Sequence, residues 1–186
     1  METDCRGYIS TAFAWIREAN PSSVLDVGVV FGKWGFLCRE HLDAWRDSRG
    51  RDGQKPRLVG INGSEPLHSD ARCMYDDILV GDVLERIHDV GLFDLVMVSD
   101  LEHLTRVQAD CMLVNASAIA KAVLIVATSG RQPHGDGRER RRTAIKFRHV
   151  RGMFRVLRHQ TFEDSGRGYW MALLEGQQAR AAECVP

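Results

Sequence analysis

The chain has 186 residues, and its 25 Lys and Arg are balanced by 25 Asp and Glu, so the formal net charge is zero. That length suits one α/β domain, which hides about 70% of its extended-chain surface, and the balance leaves no global field to draw in nucleic acid or a membrane. The five cysteines (Cys5, Cys38, Cys73, Cys111, Cys184) are scattered with no metal-type pairing, which argues against a disulfide framework or a thiolate metal site and fits a reducing cytoplasm.

The N-terminus is polar, so no leader peptide is expected, and no run approaches the roughly 20 apolar residues that would span a bilayer. Ile9 to Ala19 reads as an amphipathic helix with Ile9, Phe13 and Ile16 on one side, stopped by Asn20-Pro21-Ser22. Ser23 to Val27 is a strand. It runs into the glycine-spaced turn Gly28-Val29-Val30-Phe31-Gly32 and a helix over Phe31 to Ala44, whose inner face carries Trp34, Leu37, Cys38 and Leu42. A strand that ends in such a turn brings backbone N–H groups close to a polar or anionic ligand, because glycine has no Cβ to block the approach.

Further along, Leu58 to Ile61 and Ile78 to Val80 are strands, with a helix expected over Pro66 to Tyr75 between them. Val83 to Val90 is a brief helix or turn. Phe93 to Val98 is apolar almost throughout, as a strand covered on both faces should be. Thr105 to Lys121 is a helix, and Ala122 to Ala127 the next strand. Gly130 to Thr143 reads as a mobile basic loop. Phe154 to Leu157 and Tyr169 to Leu174 then form an antiparallel hairpin across Glu163 to Gly168. Five alternations of strand and helix predict a doubly wound, mostly parallel α/β sheet, seven-stranded once the hairpin is added. A single domain is expected over residues 1–176, with a C-terminal tail over 177–186.

This order of elements resembles the class I S-adenosylmethionine-dependent methyltransferases, a Rossmann-like fold. VLDVGVVFGKWGFLCREHLD resembles their first motif, Gly81 to Glu85 (GDVLE) their third and Phe93 to Leu104 (FDLVMVSDLEHL) their fourth. The resemblance implies S-adenosyl-L-methionine as cofactor. It also implies residue roles: Asp26 orders the turn and the methionine amino group, Gly28 and Gly32 bring the backbone to the cofactor, and Asp82 faces the adenine amino group. Asp100, or Ser99 beside it, lies under the methionine moiety and the transferred methyl.

Two positions depart from that pattern. Val30 stands where the middle glycine is usual, and a β-branched residue either projects toward the ligand or forces a different turn. Asn62 stands where an acidic residue usually holds the ribose, and can hydrogen-bond it without the charge.

His103, near the carboxyl end of a parallel strand, is a candidate general base, with Asp100 beside it as the second catalytic candidate. The basic segment Arg138–Arg158 reads mainly as a solvated face, and alternatively as a nucleic-acid contact. Four tryptophans (Trp15, Trp34, Trp45, Trp170) read as packing residues rather than a ligand cage. The leading expectation is a cytoplasmic methyltransferase acting on a small molecule in specialised metabolism, gripped with help from a partner subunit in a homodimer. The alternatives are a catalytically degenerate binding or partner subunit and an RNA methyltransferase. No metal and no membrane contact are expected.

Overall fold

The computed structural model describes residues 6–43, 55–63, 69–99, 101–129, 145–164 and 167–179. The Gly130 to Thr143 loop, Asp100, Trp45 and His134 therefore lie outside the described residues, as does most of the segment after Gly176.

Seven strands form one sheet: β1 Ser23–Val27, β2 Arg57–Asn62, β3 Asp77–Val80, β4 Phe93–Val98, β5 Ala120–Thr128, β6 Val156–Asp164 and β7 Arg167–Glu175. Their order is β3-β2-β1-β4-β5-β7-β6. The first five are parallel, and β7 runs antiparallel to both β5 and β6. β1 is the innermost of the parallel set. It pairs with β2 through Asp26↔Gly60 and with β4 through Asp26↔Met97.

Helices cover both faces. On one side lie α1 (Arg6–Ala19), α2 (Lys33–Cys38), a π-helical turn (Arg39–Asp43) and the single turn α3 (Ser69–Arg72), packing Tyr8, Phe13, Ile16, Trp34, Leu42 and Ala71 against Val24, Leu58 and Leu95. On the other lie α4 (Val83–Arg86), α5 (Arg106–Ile119) and α6 (Phe147–Met153), packing Met112, Leu113, Ala116 and Val150 against Leu25, Val96 and Val123. Side chains alternate across a strand, so neighbours on β1 feed opposite cores. Leu25 and Val27 face the α5 side, while Val24 faces the α2 side.

The buried strands fall where the apolar runs predict them. Trp15, Trp34 and Trp170 are buried packing residues, as expected. Three predictions need correction. Of the helix expected over Pro66 to Tyr75, residues 66–68 lie outside the described residues, and among the rest only Ser69–Arg72 is helical, so Tyr75 lies beyond it. The hairpin's first arm is Val156–Asp164 rather than Phe154 to Leu157, and Phe154 instead closes α6. The ladder also reaches Glu163↔Gly168 and Asp164↔Arg167, residues predicted to lie in the turn. β6 is an edge strand with a mostly polar sequence, so the apolar-run signal for a buried strand is absent there.

α5 is the best-capped helix. Thr105 accepts from Gln108 N–H, and the Gln108 carboxamide accepts from Thr105 N–H at 2.9 Å, a reciprocal capping box. No helix among the described residues is long and apolar enough to cross a membrane.

Candidate cofactor corner

The strand order reverses between β1 and β4, and in open α/β sheets ligands bind outside the carboxyl ends of the strands at such a point. The β1 end is where the chain departs from ordinary backbone. Gly28 (φ 100°), Val30 (φ 48°) and Gly32 (φ 74°) alternate through the left-handed region. Gly28 and Val29 N–H both donate to Ile61 O, at 3.0 and 3.3 Å, and Gly32 N–H donates to Val29 O at 2.7 Å.

Val30 therefore keeps the glycine-type turn rather than forcing another. A β-branched residue at positive φ is a genuine outlier, and left-handed backbone at a non-glycine residue costs of order 1–3 kcal/mol. Asn62 helps hold it there, since its carboxamide oxygen accepts from Val30 N–H at 3.2 Å. Val30 is 45% exposed and the neighbouring Phe31 70% exposed, so the apolar residues of the turn face outward. Val29 points the other way. It packs onto β2 where a Cβ at Gly60 would meet its Cγ2 at 2.4 Å.

Beneath the turn, the predicted Asp26 meets Tyr75, a residue to which the sequence assigns no role. Asp26 is fully buried, and the Tyr75 hydroxyl donates to its Oδ2 at 2.5 Å. The same hydroxyl oxygen accepts from Gly35 N–H at 3.0 Å. Burial, and then the Asp26 carboxylate, push the phenol far above its ordinary range, so it remains protonated and donates to Asp26. α2 begins at Gly32, which has no side chain to cap it. Tyr75 supplies the acceptor that the helix N-terminus lacks.

Tyr75 is itself bracketed. Arg39 donates to Met74 O at 2.9 Å and to Pro56 O at 3.0 Å, and pairs with Asp76 at 2.7 Å. Asp76 Oδ2 also accepts from Leu58 N–H at 2.7 Å. Burial alone would raise the Asp76 pKa, but the Leu58 N–H and the Arg39 guanidinium outweigh it and hold the carboxyl below its ordinary range. No local sequence signal marks Tyr75, because its acceptor lies 49 residues away.

The other predicted residues line the same edge with simpler roles. Asp82, exposed after β3, caps α4 by accepting from Leu84 N–H at 2.8 Å. Ser99 is half-buried past β4, and its N–H reaches Val27 O at 3.4 Å, tying the β4 end to the β1 end. His103 is exposed on the 3-10 turn Leu101–His103. So Asp26, Gly28, Gly32, Asn62 and Ser99 share hydrogen-bonded contacts around the turn, while Asp82 and His103 stand at the flanking strand ends.

Of the other histidines, His149 joins helices rather than a ligand crevice. Its Nε2 lies 2.7 Å from Asp110 Oδ1 and its Nδ1 2.5 Å from Arg106, linking α6 to α5. In the basic segment, Arg155 pairs with Glu175 at 2.7 Å and Arg158 with Glu18, so part of its charge is neutralised within the fold.

Solved structures share this architecture. The magnesium protoporphyrin IX methyltransferase (ChlM) from Synechocystis PCC 6803 with bound SAH superposes with a TM-score of 0.67 at 14% identity, over 92% of this chain and 83% of that one. The chain has the class I methyltransferase fold. The methyltransferase domain of bacterial CtHen1 gives a TM-score of 0.61 at 13% identity, over 89% of this chain and 96% of that domain. TehB from Haemophilus influenzae gives 0.65 at 12% identity, over 95% of this chain and 64% of that one. No protein-family model and no curated protein sequence matches the chain.

Proposed function

We propose that the chain is an S-adenosyl-L-methionine-dependent methyltransferase acting on a small-molecule acceptor. The observation that carries this reading is the run of three alternating left-handed residues, Gly28, Val30 and Gly32, at the carboxyl end of β1 beside the reversal of strand order. The N–H groups of Gly28, Val29, Val30 and Gly32 are taken up within the protein, so what the bend offers a polar ligand is the close approach of its backbone. The similar ChlM structures hold SAH and SAM.

The residues present fit an adenosyl ligand. The turn keeps its glycine-type conformation despite Val30, and the Val30 side chain points outward rather than into the buried Asp26–Tyr75 contact. Gly28 and Gly32 would bring the backbone close, Asp26 would support the turn from below, and Asp82 and Ser99 would flank it. The bound sulfonium supplies an activated methyl group. The protein's work is to orient the acceptor and exclude water. His103 lies past the end of β4, where it could take a proton from a hydroxyl or amine acceptor.

Titration calorimetry with SAH and with S-adenosylmethionine tests the reading. Micromolar or tighter binding is expected, and no heat at millimolar ligand would overturn it. Val30 favours a second reading, a binding subunit of the same fold without turnover, because a strained valine narrows a site that glycine would leave open. Cofactor binding without methyl transfer to any of a panel of small acids, amines and alcohols would favour that subunit.

A further inference from the structure

We infer that Tyr75 is a positioning residue for the cofactor corner, holding the Asp26 carboxylate and the first turn of α2 in the arrangement that receives the methionine end of an adenosyl ligand. This inference rests on the cofactor reading above, and adds a residue from outside the strand-turn-helix segment.

Tyr75 bonds both to β1 and to the start of α2. Its hydroxyl donates to Asp26 Oδ2 at 2.5 Å and accepts from Gly35 N–H at 3.0 Å. Those two residues flank the Gly28–Gly32 turn, one on the strand entering it and one on the helix leaving it. A hydroxyl that bonds to both fixes the span that the turn must cross. The fit is close, because a Cβ at Gly35 would come within 2.5 Å of the Tyr75 ring. The ring is held in turn by the Arg39 bracket on the residues either side of it, Met74 and Asp76.

The chemistry follows from charge. A carboxylate that accepts a strong hydrogen bond while buried stays ionised more readily. An ionised Asp26 at this corner favours the ammonium of a methionine moiety and keeps the turn in its ligand-ready shape. Tyr75 bonds to Asp26, the Cys38 thiol of α2 lies close enough to act on the Tyr75 hydroxyl, and β2 and β4 place Gly60 and Met97 in register with Asp26.

The test is Tyr75→Phe, which keeps the ring and removes only the hydroxyl. Affinities for SAH and for 5′-methylthioadenosine, which lacks the amino-acid end, are measured by calorimetry for wild type and variant, with thermal unfolding to establish that the variant is folded. Losing a hydrogen bond to a charged group should weaken SAH binding about tenfold. Binding of 5′-methylthioadenosine should change little, because it has no methionine end for the corner to receive. Unchanged SAH affinity, or an equal loss for both ligands, overturns the inference, since a purely structural role would weaken both alike. If the variant does not fold, amide exchange of the wild-type protein reads the same claim. SAH should then slow exchange at Gly35 more than at Leu113 in the middle of α5, and equal slowing overturns it. Failure of the wild type to bind SAH would instead remove the cofactor reading, and this inference with it.

Discussion

The β1 corner and the β4 end face the same crevice but are built differently. At β1, a buried aspartate, a buried tyrosine and a helix N-terminus share one hydroxyl, and an arginine holds the Met74 carbonyl and the Asp76 carboxylate on either side of that tyrosine. At β4, the Ser99 N–H reaches Val27 O and His103 stands exposed on a short 3-10 turn. Buried polar groups that share partners set a unique geometry, because breaking one leaves the others unsatisfied. Exposed groups set little and tolerate change. The side that would hold a constant cofactor is therefore over-determined, and the side that would meet a variable acceptor is free to differ.

The largest break in that contrast should come from Asp26→Ala, which leaves the buried Tyr75 hydroxyl without its acceptor. Destabilisation of about 3 kcal/mol is expected by urea unfolding, with SAH binding lost in the folded fraction. Val30→Gly sharpens the contrast instead. Relief of left-handed strain, of order 1–3 kcal/mol, is partly offset by the greater freedom of glycine in the unfolded chain. Calorimetry should show tighter SAH binding, and an unmoved affinity would mean that the isopropyl group does not crowd the ligand.

Asp76→Asn loosens the bracket around Tyr75 in a pH-dependent way. The native Asp76 pKa lies below its ordinary value of 3.8. Its stabilisation is thus fully present above that value and is lost as pH falls through the lower native pKa. The variant should be less stable than wild type at neutral pH, and the gap should close in acid, as read by thermal unfolding over a pH series. The smallest effect belongs to the β4 side. His103→Ala should change stability by less than about 0.5 kcal/mol and leave SAH affinity unaltered, while lowering methyl transfer once an acceptor is found.

The fold was legible because its central strands are buried on both faces. Runs such as Leu95-Val96-Met97-Val98 declare themselves without alternation. The turn was legible too, and its valine was recognised as the anomaly that the positive φ now defines. What stayed hidden lacks a local pattern. β6 carries the polar sequence of an edge strand, and α6 packs a basic, glycine-containing stretch through Val150. Tyr75 is a lone tyrosine after a four-residue helix, and only tertiary structure brings it to Asp26. Asp82 is the converse case, because its helix-capping contact is local, to the N–H of Leu84 two residues on.

Gly35 has an evolutionary consequence. With a Cβ there only 2.5 Å from the aromatic ring, position 35 cannot gain a side chain while Tyr75 is in place. A descendant sequence that acquires a side chain at 35 must surrender the tyrosine, and one that loses the tyrosine is released from the glycine. Drift at the two sites should therefore be correlated across divergent copies of this chain, although 40 residues separate them.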